Sequence, residues 1–190
     1  MLSTDLLRGA FQAGLDYDRY VATGKEHEQR NWNTFRARVA LTPQQQALIA
    51  GFTRRIHALC VSGIWCGDCV QQCPMFDAIA DANPERIHLR FIDRDEHPEV
   101  AGAVKLCGGG RVPVLLLLNE DFEFVALAGD RSLARYRALA SRSLGPACPM
   151  PGAPVPADEV ATTLADWVGE FERVALLLRL SPKLRARHGD

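Results

Sequence analysis

The chain has 190 residues, which at about 150 per domain means one domain with additions, not two full-sized ones. Its 22 Lys and Arg against 23 Asp and Glu leave a formal net charge of -1, which excludes a strongly basic nucleic-acid footprint. With 47% hydrophobic and 24% charged residues it reads as an ordinary globule with a real core, and its six cysteines are too few for a disulfide-stapled miniprotein.

Met1 to Gly14 carries Asp5 and Arg8 within its apolar pattern and so lacks the apolar stretch of a secretory signal. The richest apolar run, Val112 to Leu118, contains Pro113 and has strand length, far short of a membrane span. The expected location is therefore the cytoplasm, with no membrane or nucleic-acid partner. In a reducing compartment, closely spaced cysteines point to catalysis, redox sensing or metal binding before structural disulfides.

Leu6, Leu7, Ala10, Phe11 and Leu15 fall at helical spacing, and residues 4 to 40 read as one or two amphipathic helices. Thr42-Pro43-Gln44-Gln45 combines an N-cap, Pro at N1 and a capping-box Gln, so a helix is expected to run to about Gly51. Together these give an N-terminal helical extension, 1–51, packed on the core. Arg55 to Ser62 reads as a buried strand, residues after Trp65 as a helix to Ala82 halted by Asn83-Pro84, and Arg86 to Asp93 as a second strand in a parallel crossover. Pro98 to Leu106 reads as a short helix ended by Gly108-Gly109-Gly110. Val112 to Leu118 and Phe122 to Leu127 read as a hairpin, and Arg131 to Leu144 as a helix closing a core domain, 52–144.

Five prolines between Gly145 and Ala157 mark a stiff, exposed connection. A C-terminal amphipathic helix comes next within 158–190, with Val160, Leu164, Trp167, Val168, Phe171, Val174, Ala175 and Leu178 on one face. That face reads as intramolecular core, with a homodimer interface as the alternative. Lys183 to His188 reads as a frayed tail.

Cys66-Gly67-Asp68-Cys69 puts two thiols three residues apart where a strand hands over to a helix. Free N–H groups and the dipole of a helix N-terminus favour an anion, so Cys66 is expected to ionise well below a free thiol. Cys69, one turn on, is placed to attack a mixed disulfide on Cys66, the two-step logic of thiol–disulfide exchange. The same spacing serves zinc knuckles, and Cys73 offers a third helical sulfur, so Cys66, Cys69 and Cys73 as ligands of a metal or iron–sulfur centre form a competing reading. A redox-switched binding module is another. Cys60 reads as a small core hydrophobe or an additional relay thiol, and Cys107 and Cys148 as spectators or secondary resolving thiols. Trp65 reads as a docking aromatic beside the thiol, and Arg111 as either a contact for an acidic substrate or a solvated arginine.

Trp65-Cys66-Gly67-Asp68-Cys69 with Pro74, then Ile92-Asp93, Val112-Pro113 and Gly129, resembles the thioredoxin superfamily over about Phe52 to Leu144. The W-C-G-D-C, G-G-R-V-P and D-x-D-E-x-P segments place it closer to a bacterial thioredoxin-like branch than to housekeeping thioredoxins. The resemblance implies an α/β thioredoxin-like fold, a central mixed sheet flanked by helices, here with extra N-terminal helices and an added C-terminal helix. It implies Cys66 as nucleophile, Cys69 as resolver and a cis Pro113 facing the thiols. Trp65, Gly67, Asp68, Arg111, Val112 and Pro113 would line the substrate groove. It implies no dissociable cofactor beyond a Cys66–Cys69 disulfide, with a protein or small-molecule disulfide as substrate and a reductase or glutathione as electron donor. The chain departs from the pattern where the superfamily has a buried Asp and a Lys, positions that here fall at Cys60 and near Leu89, so the usual proton relay is missing. Asp68 replaces the usual proline between the cysteines, and a carboxylate there would disfavour a second negative charge while interacting well with the helix start, two effects that oppose each other.

Overall fold

The computed structural model describes residues 2–144 and 158–189. In chain order the elements are α1 (Thr4–Ala13), α2 (Tyr17–Ala22), α3 (Glu26–Arg36), α4 (Pro43–Ala50), β1 (Ile56–Ser62), α5 (Gly67–Asp81), β2 (Ile87–Asp93), α6 (Pro98–Ala103), β3 (Val114–Leu118), β4 (Phe124–Ala128), α7 (Leu133–Leu144), α8 (Glu159–Leu180) and α9 (Pro182–His188). The strands form one mixed sheet in the order β2-β1-β3-β4. β1 runs parallel to β2, while β3 is antiparallel to both β1 and β4. Helices flank this sheet, so the fold is the expected α/β thioredoxin-like one.

Local chemistry explains the boundaries. Thr42 accepts the Gln45 N–H while the Gln45 side chain returns to the Thr42 N–H, closing the capping box, and Pro43 stands at the first helical position. β1 and β3 lie inside the sheet and are buried along their whole length, as their unbroken apolar sequences require. α5 is buried on several sides because it packs against β2, α3 and α8.

The first forty residues form three helices where one or two were expected. Ser3 and Asp16 cap the first two by accepting from the Leu6 and Arg19 N–H groups, and Gly14 separates them. At Gly14 the chain passes so close to β2 that a Cβ would lie 2.9 Å from that of Arg90. Leu15 then exchanges backbone hydrogen bonds with Phe91, a single antiparallel bridge on the outer edge of β2. Tyr17, Tyr20 and Trp32 surround the Phe91 ring, with Tyr20 stacked on it at 5.3 Å, so these helices belong to the same core as the sheet.

α8 buries the predicted face: Leu164, Trp167, Val168, Phe171, Val174 and Leu178 all lie in the core, and Trp167 meets Phe76 of α5 edge-on at 4.8 Å. Beyond it, the expected frayed tail is instead the helix α9. Ser181 caps it, Leu184 is buried, Lys183 pairs with Glu123 at 2.6 Å, and Arg187 pairs with Asp121. One buried leucine and two ion pairs to the β3–β4 turn dock a segment whose basic composition alone suggested solvent. Four boundaries also shift by two residues or more: α6 stops at Ala103, β3 begins at Val114, β4 begins at Phe124 and α7 begins at Leu133. The proline-rich connection and Cys148 lie outside the described residues.

Candidate active site

β1 ends at Ser62, and Gly63-Ile64-Trp65 carries the chain to Cys66, the N-cap of α5. The turn is held from outside by the N-terminal helices. The Trp32 indole donates its Nε1–H to the Ile64 carbonyl at 2.9 Å, and Gly24 approaches so closely that a Cβ there would lie 2.6 Å from the Ile64 side chain. Arg36 of α3 reaches Asp77 and Asp81 of α5 at 2.7 and 2.8 Å. Gly63 is needed for a different reason: a Cβ there would sit 2.9 Å from the Trp65 ring.

Trp65 is 51% exposed, and its ring carries the Arg94 guanidinium at 4.8 Å, with Arg94 also donating to the Gly110 carbonyl. Gly67 is exposed, with open space where a side chain would be. Cys66 is half-buried and points its Sγ at the Val112 carbonyl, 3.5 Å away. Val112 and Pro113 are buried, and the peptide between them is cis. The chain therefore brings the first thiol and the segment before β3 face to face, although 46 residues separate them.

Cys69 is fully buried behind Cys66. The Cys66 thiol is pushed up by its hydrogen bond with Cys69 and then by burial, while the N–H groups of Cys69 and Asp68 pull the other way. In the reduced pair this direction runs opposite to the expectation of a thiol held well below the free value. The helix-start effect is present, but in the reduced pair contact with the second sulfur and loss of solvent outweigh it. Cys69 is itself pushed well up by burial. Two sulfurs in contact titrate as one coupled unit.

Asp68 is not a free carboxylate. Its side chain, 18% exposed, is paired with Arg131 and, at 3.3 Å, with Arg135. Arg131 also reaches Asp130, which accepts from Arg111 at 3.0 Å and from the Tyr136 hydroxyl. Burial opposes ionisation of Asp130, but the hydrogen bonds from Tyr136 and Arg111 and the Arg131 charge hold its carboxyl below the usual range. Arg135 continues to Glu159 of α8, which Arg142 also grips. Gln72 completes the frame: its amide donates to the Asp130 carbonyl at 2.6 Å and accepts from the Ser132 N–H. Arg111 is thus neither a bare solvated arginine nor an unengaged substrate contact, since Asp130 holds one of its nitrogens. Four guanidiniums, Arg111, Arg131, Arg135 and Arg142, meet three carboxylates, Asp68, Asp130 and Glu159, leaving these seven groups one positive charge in excess, with Asp166 of α8 beside them where it accepts from the Ala134 N–H.

Sequence reasoning passed over Asp130, Arg131, Arg135, Tyr136 and Gln72. The signal was available as polar and charged residues immediately after Gly129, at a helix start. Their pairing with α5 is a tertiary fact that periodicity does not carry.

Deeper in, Cys73 lies 3.8 Å from Cys60 of β1 and 3.7 Å from the Ser62 hydroxyl. Among the described residues, no group of three or more His, Cys, Asp or Glu is arranged to hold a metal ion. Cys66 turns outward to Val112 and Cys73 inward to Cys60, so the reading of Cys66, Cys69 and Cys73 as joint ligands is not supported. Cys107 is exposed at φ 49° beside the triple glycine. Among the described residues no helix is long and apolar enough to cross a membrane.

A family model described as thioredoxin matches residues 14–138. A putative thioredoxin 2 from Streptomyces coelicolor is 32% identical over 65 residues, covering 34% of this chain. The match spans only 46% of that relative's own length. The crystal structure of a Pseudomonas aeruginosa protein of unknown function superposes with a TM-score of 0.68 at 20% identity, covering 92% of this chain and 97% of that one. An HIV epitope-scaffold structure superposes at 0.58 and 20% identity, covering 88% and 92%. These two likenesses concern the fold alone. The family match takes in the Cys66–Cys69 turn, the cis Val112–Pro113 peptide and the whole sheet, and the chain belongs to the thioredoxin family.

Proposed function

We propose that the protein is a thiol–disulfide oxidoreductase in which Cys66 attacks and Cys69 resolves. The observation that carries this reading is the asymmetry of the pair: Cys66 is the partly exposed sulfur beside the Val112 carbonyl, and Cys69 is the sealed sulfur behind it. The Cys66 thiolate attacks one sulfur of a substrate disulfide, forming a mixed disulfide and expelling a substrate thiolate that takes up a proton. Cys69, as thiolate, then attacks the Cys66 sulfur, expels the second substrate thiolate and leaves a Cys66–Cys69 disulfide. The substrate gains two electrons and two protons, and the pair gives them up. An electron-donating reductase or glutathione returns the pair to the dithiol, with no dissociable cofactor.

Trp65 and Gly67 offer an exposed apolar and unobstructed approach to Cys66, and Val112 with Pro113 forms the opposite wall of the groove. Arg111, part of whose fork is taken by Asp130, turns the excess positive charge toward that groove and favours acidic peptide segments. Asp68 acts by tying the first turn of α5 to α7 and not by touching substrate. The substrate class is a protein or small-molecule disulfide.

The test is trapping with insulin as the disulfide substrate. Cys69→Ser should accumulate a mixed disulfide on Cys66 visible by mass spectrometry, while Cys66→Ser should neither turn over nor trap. Trapping on Cys66→Ser instead would reverse the roles.

A further inference from the structure

Four sulfurs run in order from the surface into the core. Cys66 is the outer one at the start of α5, Cys69 and Cys73 follow one turn apart on the buried side of that helix, and Cys73 lies 3.8 Å from Cys60. Cys60, Cys69 and Cys73 are all 0% exposed. The exchange between Cys66 and Cys69 leaves the inner two sulfurs without a role, although they adjoin the resolving one.

We propose that Cys60 and Cys73 form a second, buried dithiol–disulfide couple that exchanges with the active pair through Cys69. The proposal rests on the oxidoreductase reading of Cys66 and Cys69. Starting from the Cys66–Cys69 disulfide, the Cys73 sulfur attacks the Cys69 sulfur; the Cys69–Cys73 bond forms, the Cys66–Cys69 bond breaks, and the Cys73 proton ends on Cys66. The Cys60 sulfur then attacks Cys73; the Cys60–Cys73 bond forms, the Cys69–Cys73 bond breaks, and the Cys60 proton ends on Cys69. Two electrons have moved from the inner pair to the outer pair, which is again a dithiol and able to reduce a second substrate disulfide. No oxidant beyond the substrate disulfide is consumed.

Three features of the fold fit this passage. The inner sulfurs have only to close from 3.8 Å to a bond length of about 2.05 Å, within reach of side-chain rotation with a small backbone adjustment. Pro74, directly after Cys73 and inside α5, cannot donate to the Val70 carbonyl, so the helix lacks one of its hydrogen bonds immediately after the residue that must shift. The Ser62 hydroxyl touches Cys73 at 3.7 Å, giving a polar, exchangeable group beside the inner pair. Burial also gives the inner pair a property the outer one lacks: no external disulfide reaches it directly, so Cys69 is its one thiol contact with the active pair.

The experiment is disulfide mapping of the full chain. Fully reduced protein is titrated anaerobically with oxidised glutathione, quenched in acid, alkylated and digested, with mass spectrometry assigning each cysteine pair. The expected result is a Cys60–Cys73 linkage at the oxidised end together with Cys66–Cys69, four electrons from these four residues. In Cys69→Ala the Cys60–Cys73 linkage should form at least tenfold more slowly. If Cys66–Cys69 closes and Cys60 and Cys73 remain thiols at every oxidant concentration, the second couple is wrong and the oxidoreductase reading stands. Equal rates of Cys60–Cys73 formation in wild type and Cys69→Ala would overturn the relay. If Cys66–Cys69 never closes, both readings fall. The wild-type mapping decides the existence of the couple even if Cys69→Ala does not fold.

Discussion

The Trp32 indole, on α3, donates a 2.9 Å hydrogen bond to the carbonyl of Ile64, two residues before Cys66. The ring is fully buried against Tyr17, Tyr20 and Phe91, so the N-terminal helices hold the turn before Cys66 through a group that cannot move without disturbing the core. In Trp32→Phe the carbonyl loses its donor and part of the ring volume is left empty. Urea unfolding should show a loss of about 2–4 kcal/mol, and Cys66 should become more readily alkylated as its turn loosens. A loss below about 0.5 kcal/mol with unchanged alkylation would mean the extension does not position the site.

Asp68 is balanced by Arg131 and Arg135, so Asp68→Asn removes a negative charge beside the thiols while leaving both guanidiniums in place. Less negative charge favours a thiolate, and alkylation of Cys66 by iodoacetamide at pH 7 should rise about threefold to tenfold. Stability should fall by about 1–3 kcal/mol, because two partly buried cations each lose one carboxylate partner while keeping Asp130 and Glu159. A slower Cys66 reaction in this variant would contradict the assigned balance.

In the reduced pair Cys66 is pushed toward its protonated form by contact with Cys69 and then by burial, and Cys69 chiefly by burial. Exchange requires the thiolate, so the rate of insulin reduction should climb with pH through neutrality and keep rising to at least the free-thiol value of about 8.5. A plateau at or below pH 7 would show that the helix start dominates after all.

His57 gives a pH dependence of stability far from the thiols. It is buried, donates from Nδ1 to the Asn119 carbonyl at 3.0 Å and stacks on Phe122 at 4.2 Å. Burial first, and then the neighbouring His88 and Arg55, pull its pKa down to about 4, against the hydrogen bond to Asn119. Because the unfolded chain binds this proton near pH 6.5 and the folded one only near 4, its contribution is full above 6.5 and is lost as pH falls toward 4. Asp77, pushed up to about 6 chiefly by burial, acts in the opposite sense over nearly the same interval, so the whole protein's profile is flattened. The clean readout is therefore a difference. His57→Gln should be less stable than wild type at pH 7, and the gap should narrow by on the order of 2 kcal/mol by about pH 4.5. A constant gap would place the His57 titration elsewhere.

The sequence was most legible where a local signal and a tertiary need coincide. Thr42-Pro43-Gln44-Gln45 specifies a helix start by its own hydrogen bonds, and the apolar Val114 to Leu118 run has only a sheet interior to go to. The Cys66–Cys69 turn was legible because strand, glycine and helix come directly one after another. What stayed hidden is the sign of opposing effects and the partners of charges. The helix start does favour a Cys66 anion, but only the packed structure reveals how much Cys69 contact and burial take back. Likewise Arg111 and Asp68 each look like free charges until Asp130, Arg131 and Arg135 arrive from other elements. The docking of α9 rests on Leu184 and on ion pairs with Asp121 and Glu123, about sixty residues away, which no local pattern announces.

The central claim is that Cys66 and Cys69 exchange two electrons as a disulfide couple, and redox titration in thiol buffers with differential alkylation of each cysteine tests it most directly. The account predicts a reversible Cys66–Cys69 transition in the range of about -270 to -120 mV, the span of thioredoxin-fold reductases and oxidants. A pair that stays as two free thiols across that range, while the protein remains folded, would contradict it.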